Sequence, residues 1–208
     1  MEISISVRNL VEFLMRSGDI DNRHTAAPED AMQEGGRIHR MLQRKAGTDY
    51  RAEVVLKYRY ETEKYTLCVE GRADGIIGGL TAEQLQEEKL SSEKELSELE
   101  MYALEKQQVQ ENIPLQTQQS QATVEQPVVI DEIKGVYKDV TKMKTAVPVH
   151  LAQAKCYAFF YAKQNEMARI RVRLTYCNMD TEEIKYFFYE YSLQELQEWF
   201  EELMKQYK

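Results

Sequence analysis

Four short stretches of this chain carry residues able to do chemistry, and they run in the order GGRIH, GRAD, DEIK and QAKCY. The third closes the run VVIDEIKG, Val128 to Gly135, an apolar segment that ends on charged residues. A core strand tolerates such groups only when they are paired, placed at a strand end or bound to a metal. Residues two apart on a strand share a face, so Glu132 and Lys134 project together while Asp131 and Ile133 project the other way. An isolated ExK is most often a simple ion pair. In GRADGII a second strand ends on Asp74, between glycines that let a backbone or a ligand come close. Paired with VVIDEIKG, this strand sets Asp74 beside Glu132, and two such carboxylates repel unless one is protonated or a cation lies between them. Hard oxygen ligands suit Mg2+ or Mn2+, although a plain turn aspartate is an equal reading of Asp74 taken alone. His39, three residues after Gly36, is the candidate nitrogen ligand, against the commoner role of a satisfied helix histidine. Gln153 and Tyr157 are four apart and share one helix face, with His150 one turn before them.

The elements that must position these residues are legible in the spacing. Val7, Leu10, Val11, Leu14 and Met15 predict a first amphipathic helix, capped by Ser6 and stopped near Gly18. A second helix is predicted from Pro28 to Gly47, despite the Gly35 and Gly36 pair, which lowers helix propensity but permits close backbone approach. From Tyr50 the β-branched and aromatic texture predicts a long hairpin around a polar turn at Glu61 to Lys64. Pro148 opens a helix with Val149, Ala152, Cys156 and Phe159 on one apolar face. Alternation of Arg169, Arg171 and Arg173 with Ile170, Val172 and Leu174 predicts a strand with one basic face, turning at Asn178 to Thr181 into a partner strand. Ser192 and Glu195 form a capping-box pattern ahead of a last helix. The sum is an α/β fold: a mixed central sheet flanked by helices.

The 208 residues suffice for one domain with a substantial core, and 43% hydrophobic content argues against global disorder. The net charge of −8 is unevenly spread: residues 81–127 carry ten Glu and three Lys, leaving 24 basic and 25 acidic side chains on the other 161 residues. A local basic groove on a nearly neutral body is therefore allowed. That stretch, in which Gln and Glu fill twenty of forty-seven positions, reads as an insertion in a hairpin connection, partly disordered or helical. Cys68, Cys156 and Cys177 form no CxxC pair and read as reduced core thiols. No apolar run long enough for a bilayer and no leader pattern is present, so a cytoplasmic protein is expected.

Taken together, Gly36 with His39, Gly71 through Asp74, Glu132 with Lys134, and Gln153 with Tyr157 resemble the RecB-like branch of the PD-(D/E)XK nuclease superfamily. That branch carries a helix histidine after a glycine, a GxxD strand end, a (D/E)xK strand and a QxxxY helix in this order. The resemblance spans most of the chain except 81–127, and it is nearest to the nuclease region that precedes DinG-like helicases. It implies a restriction-endonuclease-like core and a cation site in which His39, Asp74, Glu132 and the Ile133 carbonyl hold Mg2+ or Mn2+. It further implies that Lys134 acts on the attacking water and that Gln153 and Tyr157 position the site. The expected function is metal-dependent hydrolysis of DNA, as an exonuclease on single-stranded ends, with a DinG-like helicase domain or subunit as a possible partner. The cluster-binding cysteines of many relatives are missing, so no iron-sulfur cluster is expected. The rival expectation is a catalytically silent DNA-binding or docking module for a helicase; a two-carboxylate glycosidase would leave Lys134 and His39 without roles. Arg169, Arg171 and Arg173 are candidates for a phosphate track, against the commoner reading of an exposed charged face.

Overall fold

The computed structural model describes residues 2–15, 28–79 and 127–207. Its elements are β1 (Glu2–Ser6), α1 (Val7–Leu14), α2 (Pro28–Lys45), β2 (Tyr50–Glu61), β3 (Thr66–Ile77), β4 (Val129–Val136), a single 3-10 turn at Val140–Lys142, α3 (Pro148–Gln164), β5 (Arg169–Asn178), β6 (Ile184–Ser192) and α4 (Leu193–Gln206). All the expected elements outside the insertion are present, and β1 is an addition. The expectations for 81–126 and for a stop at Gly18 lie outside the described residues.

The strands form one mixed six-stranded sheet. β1 runs parallel to β3, β2 pairs antiparallel along the full length of β3, β4 and β5 are parallel, and β6 returns antiparallel on β5. β3 and β4 are antiparallel neighbours over only three positions, Gly75 to Ile77 against Asp131 to Val129. The segment between them is therefore a connection between antiparallel strands. The described residues 2–15, 28–78 and 127–207 belong to one compact unit. With four helices among the described residues flanking the sheet, the fold is α/β and consistent with a restriction-endonuclease-like core.

One face of the sheet carries the main core. Ser6 accepts a hydrogen bond from the Asn9 amide and starts α1, which buries Val7, Leu10 and Val11. The full capping box at Ser192 and Glu195 starts α4, which buries Leu196, Phe200, Leu203 and Met204. Both pack around α3, where alanines alternate with aromatics and burial runs from Ala152 to Ala162 on nearly every side, beyond the single apolar face anticipated. Tyr58 of β2 stacks at 5.5 Å on Phe160 and lies 4.9 Å from Phe159, while Phe200 closes the cluster 5.0 Å from Phe159. The other face holds a smaller cluster in which Ile38 and Leu42 of α2 meet Ile133 and Cys177. Here the glycines of α2 have a use: a Cβ on Gly135 would come within 3.8 Å of the Gly35 backbone, so helix and strand approach closely.

Candidate metal centre

The β3–β4 ladder stops at Gly75 and Asp131, so the next residue on each strand, Asp74 and Glu132, stands where the two strands part. A second irregularity lies at the same level. The β2–β3 register runs through Ala52–Gly75 and Val54–Ala73, yet Glu53 and Asp74 between them do not pair, and Glu53 has a φ of 56°. Side-chain alternation slips there. A Cβ on Gly71 would strike the Tyr157 hydroxyl of α3, whereas one on Gly75, four residues on, would strike the ring of Tyr50, which bonds Asp131 on the opposite face. A regular strand would send both to one side. The slip turns Asp74 toward β4, where its Oδ2 accepts the Ile133 amide at 2.7 Å. A non-glycine residue in the left-handed region is costly and persists only when its surroundings hold it.

α2 supplies the third side. His39 Nδ1 lies 3.5 Å from Asp74 Oδ1. Burial and then the Lys134 ammonium lower the histidine pKa, against smaller pulls from Glu132, Glu53 and the Ile133 backbone. The ring is thus neutral at neutral pH, the form that ligates metals. One turn on, Gln43 Nε2 donates to the Asp74 carbonyl and to Glu53 Oε1, both at 3.0 Å. The tightest constellation is His39, Glu53 and Asp74, whose potential ligand atoms all lie within 4.8 Å of one another.

Glu132 is just outside that set. It is 4% exposed, its Oε1 accepts Lys134 Nζ at 2.6 Å, and its Oε2 is buried with no hydrogen-bond partner. Burial, opposed by Lys134, pushes its carboxyl up to about 7, and the Asp74 charge pushes it further in the same direction. Burial likewise lifts Asp74, to about 6, against the pull of Lys134 and the Ile133 amide. On α3, Gln153 is 5% exposed and its Oε1 also lacks a partner. Tyr157 is held protonated, first by burial and then by the charges of Glu132 and Asp74. Among the described residues only three buried side-chain polar atoms are orphaned, and two belong to Glu132 and Gln153. Native interiors rarely leave such atoms without a reason.

His39, Asp74 and the Ile133 backbone therefore converge, and Glu132 and Lys134 share their face as the strand period requires. The residue missed from sequence is Glu53: in RAEVVLK it reads as an ordinary exposed strand position, and only the register opposite Asp74 singles it out. The basic strand face reads differently in three dimensions. Arg169 and Arg171 both pair with Glu190, at 3.2 and 2.9 Å across exposed side chains, whereas Arg173 makes a two-point contact with the buried Asp131, so of the three it is Arg173 that is committed to an acid. All three cysteines are free thiols, with Cys156 and Cys177 buried. No helix among the described residues is long and apolar enough to cross a membrane.

The donor set, carboxylate oxygens with one neutral imidazole and an orphaned buried oxygen, fits a divalent cation of the harder kind. No family model matches the chain, and no curated protein matches it. A solved structure described as the crystal structure of SSO0001 is similar in fold, with a TM-score of 0.51 at 13% identity over 97% of this chain and 75% of that one. At that identity the likeness concerns the fold alone.

Proposed function

We propose that the chain is a metal-dependent deoxyribonuclease that hydrolyses single-stranded DNA from its ends, with Mg2+ or Mn2+ held by His39, Asp74, Glu132 and the Ile133 carbonyl. The observation that carries this reading is the unpartnered, buried Oε2 of Glu132 beside Asp74 and a neutral His39. When bound, such an ion polarises the scissile phosphate and lowers the pKa of a water ligand. The remaining work falls to the protein. Asp74 is oriented by the Ile133 amide and presents its second oxygen toward His39. Lys134, a quarter exposed, carries its ammonium at the edge of the site, where it offsets charge developing on the phosphoryl oxygens and orients the attacking water. Gln153, buried with an unpartnered Oε1, and Tyr157, held protonated, are the residues that position the site in this reading, and the free thiols fit a reducing cytoplasmic compartment. A DinG-like helicase domain or subunit is the partner that the order of motifs suggests. The test is incubation of end-labelled single-stranded DNA with the full chain and Mn2+. Stepwise shortening by the wild type, lost in Glu132→Gln and in Lys134→Ala, is expected; equal shortening by Glu132→Gln overturns the reading.

A further inference from the structure

Glu53 and two arginines have no role in that scheme, yet they border it. A cleft of about 390 Å3 opens onto the site and is lined by Gly36, His39, Arg40, Gln43, Glu53 and Arg72. Arg40 is exposed, and a Cβ on Gly36 would lie 3.3 Å from its Nη1, so the glycine leaves its guanidinium room. Arg72 Nη1 contacts Glu53 Oε2 at 3.3 Å with both side chains well exposed, a pairing of the kind that contributes little. Glu53 Oε1 is held by Gln43, which also holds the Asp74 carbonyl, so one amide ties the two acids together. The Glu53 carboxylate thus stands between a guanidinium on one side and His39 with Asp74 on the other. Two carboxylates held this close repel each other, and the left-handed backbone at Glu53 adds to that cost. The orphaned Oε2 of Glu132, buried at the same site, is an independent sign that a cation belongs there.

We propose that Glu53 is a shared carboxylate, paired with Arg72 in the metal-free protein and drawn to the cation when one binds, so that cation binding releases Arg72 to take a nucleic-acid phosphate together with Arg40. This rests on the cation site proposed above and extends it to the order in which the site is filled. The two ligands then help each other, and linkage requires the enhancement to be equal in both directions. An arginine freed in this way offers a planar fork matched to phosphate oxygens.

The experiment has two arms on the full chain. Mn2+ affinity is measured from the electron-paramagnetic signal of free Mn2+ for the wild type, Glu53→Gln, Glu53→Asn and Glu132→Gln; asparagine tolerates the left-handed backbone and guards against misfolding of the first variant. Affinity for a cleavage-resistant phosphorothioate oligothymidylate is measured by fluorescence anisotropy with and without Mn2+. Loss of the Glu53 carboxylate is expected to weaken Mn2+ binding by about tenfold or more. It is also expected to tighten metal-free oligonucleotide binding and to shrink the gain from Mn2+, and both effects vanish when Arg72→Gln is added. Tight Mn2+ binding by the wild type, lost in Glu132→Gln but unchanged in the Glu53 variants, overturns the Glu53 proposal and leaves the nuclease reading standing. Absence of Mn2+ binding by the wild type overturns both.

Discussion

Asp131 and Glu132 are adjacent acids of equal burial, and the structure assigns them opposite consequences. Asp131 is 1% exposed and fully partnered: Oδ1 accepts from Arg173 Nε and the Thr175 hydroxyl, and Oδ2 from Arg173 Nη2 and the Tyr50 hydroxyl. Replacing it by the isosteric asparagine removes the charge and turns an amide donor toward groups that are themselves donors. Breaking a buried ion pair from one side costs about 3–5 kcal/mol, because the partner charge is left without compensation. For a chain of this length each kcal/mol moves Tm by about 2–4 °C, so Asp131→Asn lowers Tm by roughly 6–20 °C. Glu132→Gln loses its ion pair with Lys134 but also discards a charge that burial and Asp74 both oppose, and its amide oxygen still accepts from Lys134. Its Tm changes by only a few degrees, corresponding to about 1 kcal/mol. The assay is thermal unfolding with and without Mn2+. Asp131→Asn melts early and keeps the Mn2+-induced rise, while Glu132→Gln melts near the wild type and loses it. Equal destabilisation by the two variants, or a folded Asp131→Asn that no longer responds to Mn2+, refutes this division of roles.

The same geometry yields three further expectations. For the wild type, Mn2+ at a hundred times its Kd stabilises by about 2.7 kcal/mol, a rise in Tm of roughly 5–10 °C that differential scanning calorimetry reads directly. Because the folded pKa values of Asp74 and Glu132 lie above their ordinary values of 3.8 and 4.5, the metal-free folded state binds more protons than the unfolded one. Metal-free stability contributed by these two groups is therefore fullest below their ordinary values and is lost as pH rises toward about 6 and about 7. Urea unfolding of the wild type against Glu132→Gln across that window isolates the effect, and parallel curves contradict it. Gly71→Ala places a methyl group 2.6 Å from the Tyr157 hydroxyl, so it costs about 1–3 kcal/mol and reduces DNA cleavage by displacing that side chain. The check is chemical denaturation together with end-labelled DNA, and wild-type behaviour in both removes Tyr157 from the site.

Much of the architecture was legible because it rests on local signals. Ser6, Pro148 and the Ser192–Glu195 box mark helix starts through hydrogen bonds and ring geometry that depend on a few neighbouring residues. The strand period placed Glu132 with Lys134 and sent Asp131 to the opposite face, as the Lys134 and Arg173 contacts bear out. β1 escaped because Glu2–Ser6 is short and runs straight into α1, and its partner is a strand sixty residues away. Glu53 escaped for a related reason. Its placement depends on a break in the β2–β3 ladder, a property of two strands in register that neither strand shows alone. The arginines of β5 were legible as a face, but their neutralisation by Glu190 and Asp131 arises from pairing with β6 and β4.

The departures from regularity cluster where the proposed chemistry lies, and that coincidence has a physical basis. A regular β3 would keep alternating and set Asp74, three residues on, on the face opposite Gly71. The slip at Glu53 and Asp74 and the parting of β3 from β4 together open a gap that a helix residue, His39, can reach from the α2 side. The resulting pocket raises the carboxyls of Asp74 and Glu132, through burial first and neighbouring acids second, and strands a buried oxygen, costs that a bound cation of the proposed kind would relieve. Asp131, one residue away, shows the alternative: an acid equally buried but wholly satisfied by the protein has nothing left to offer a ligand. The contrast between a satisfied and an unsatisfied carboxylate on neighbouring positions of one strand supports the proposed site more sharply than acidity or burial does.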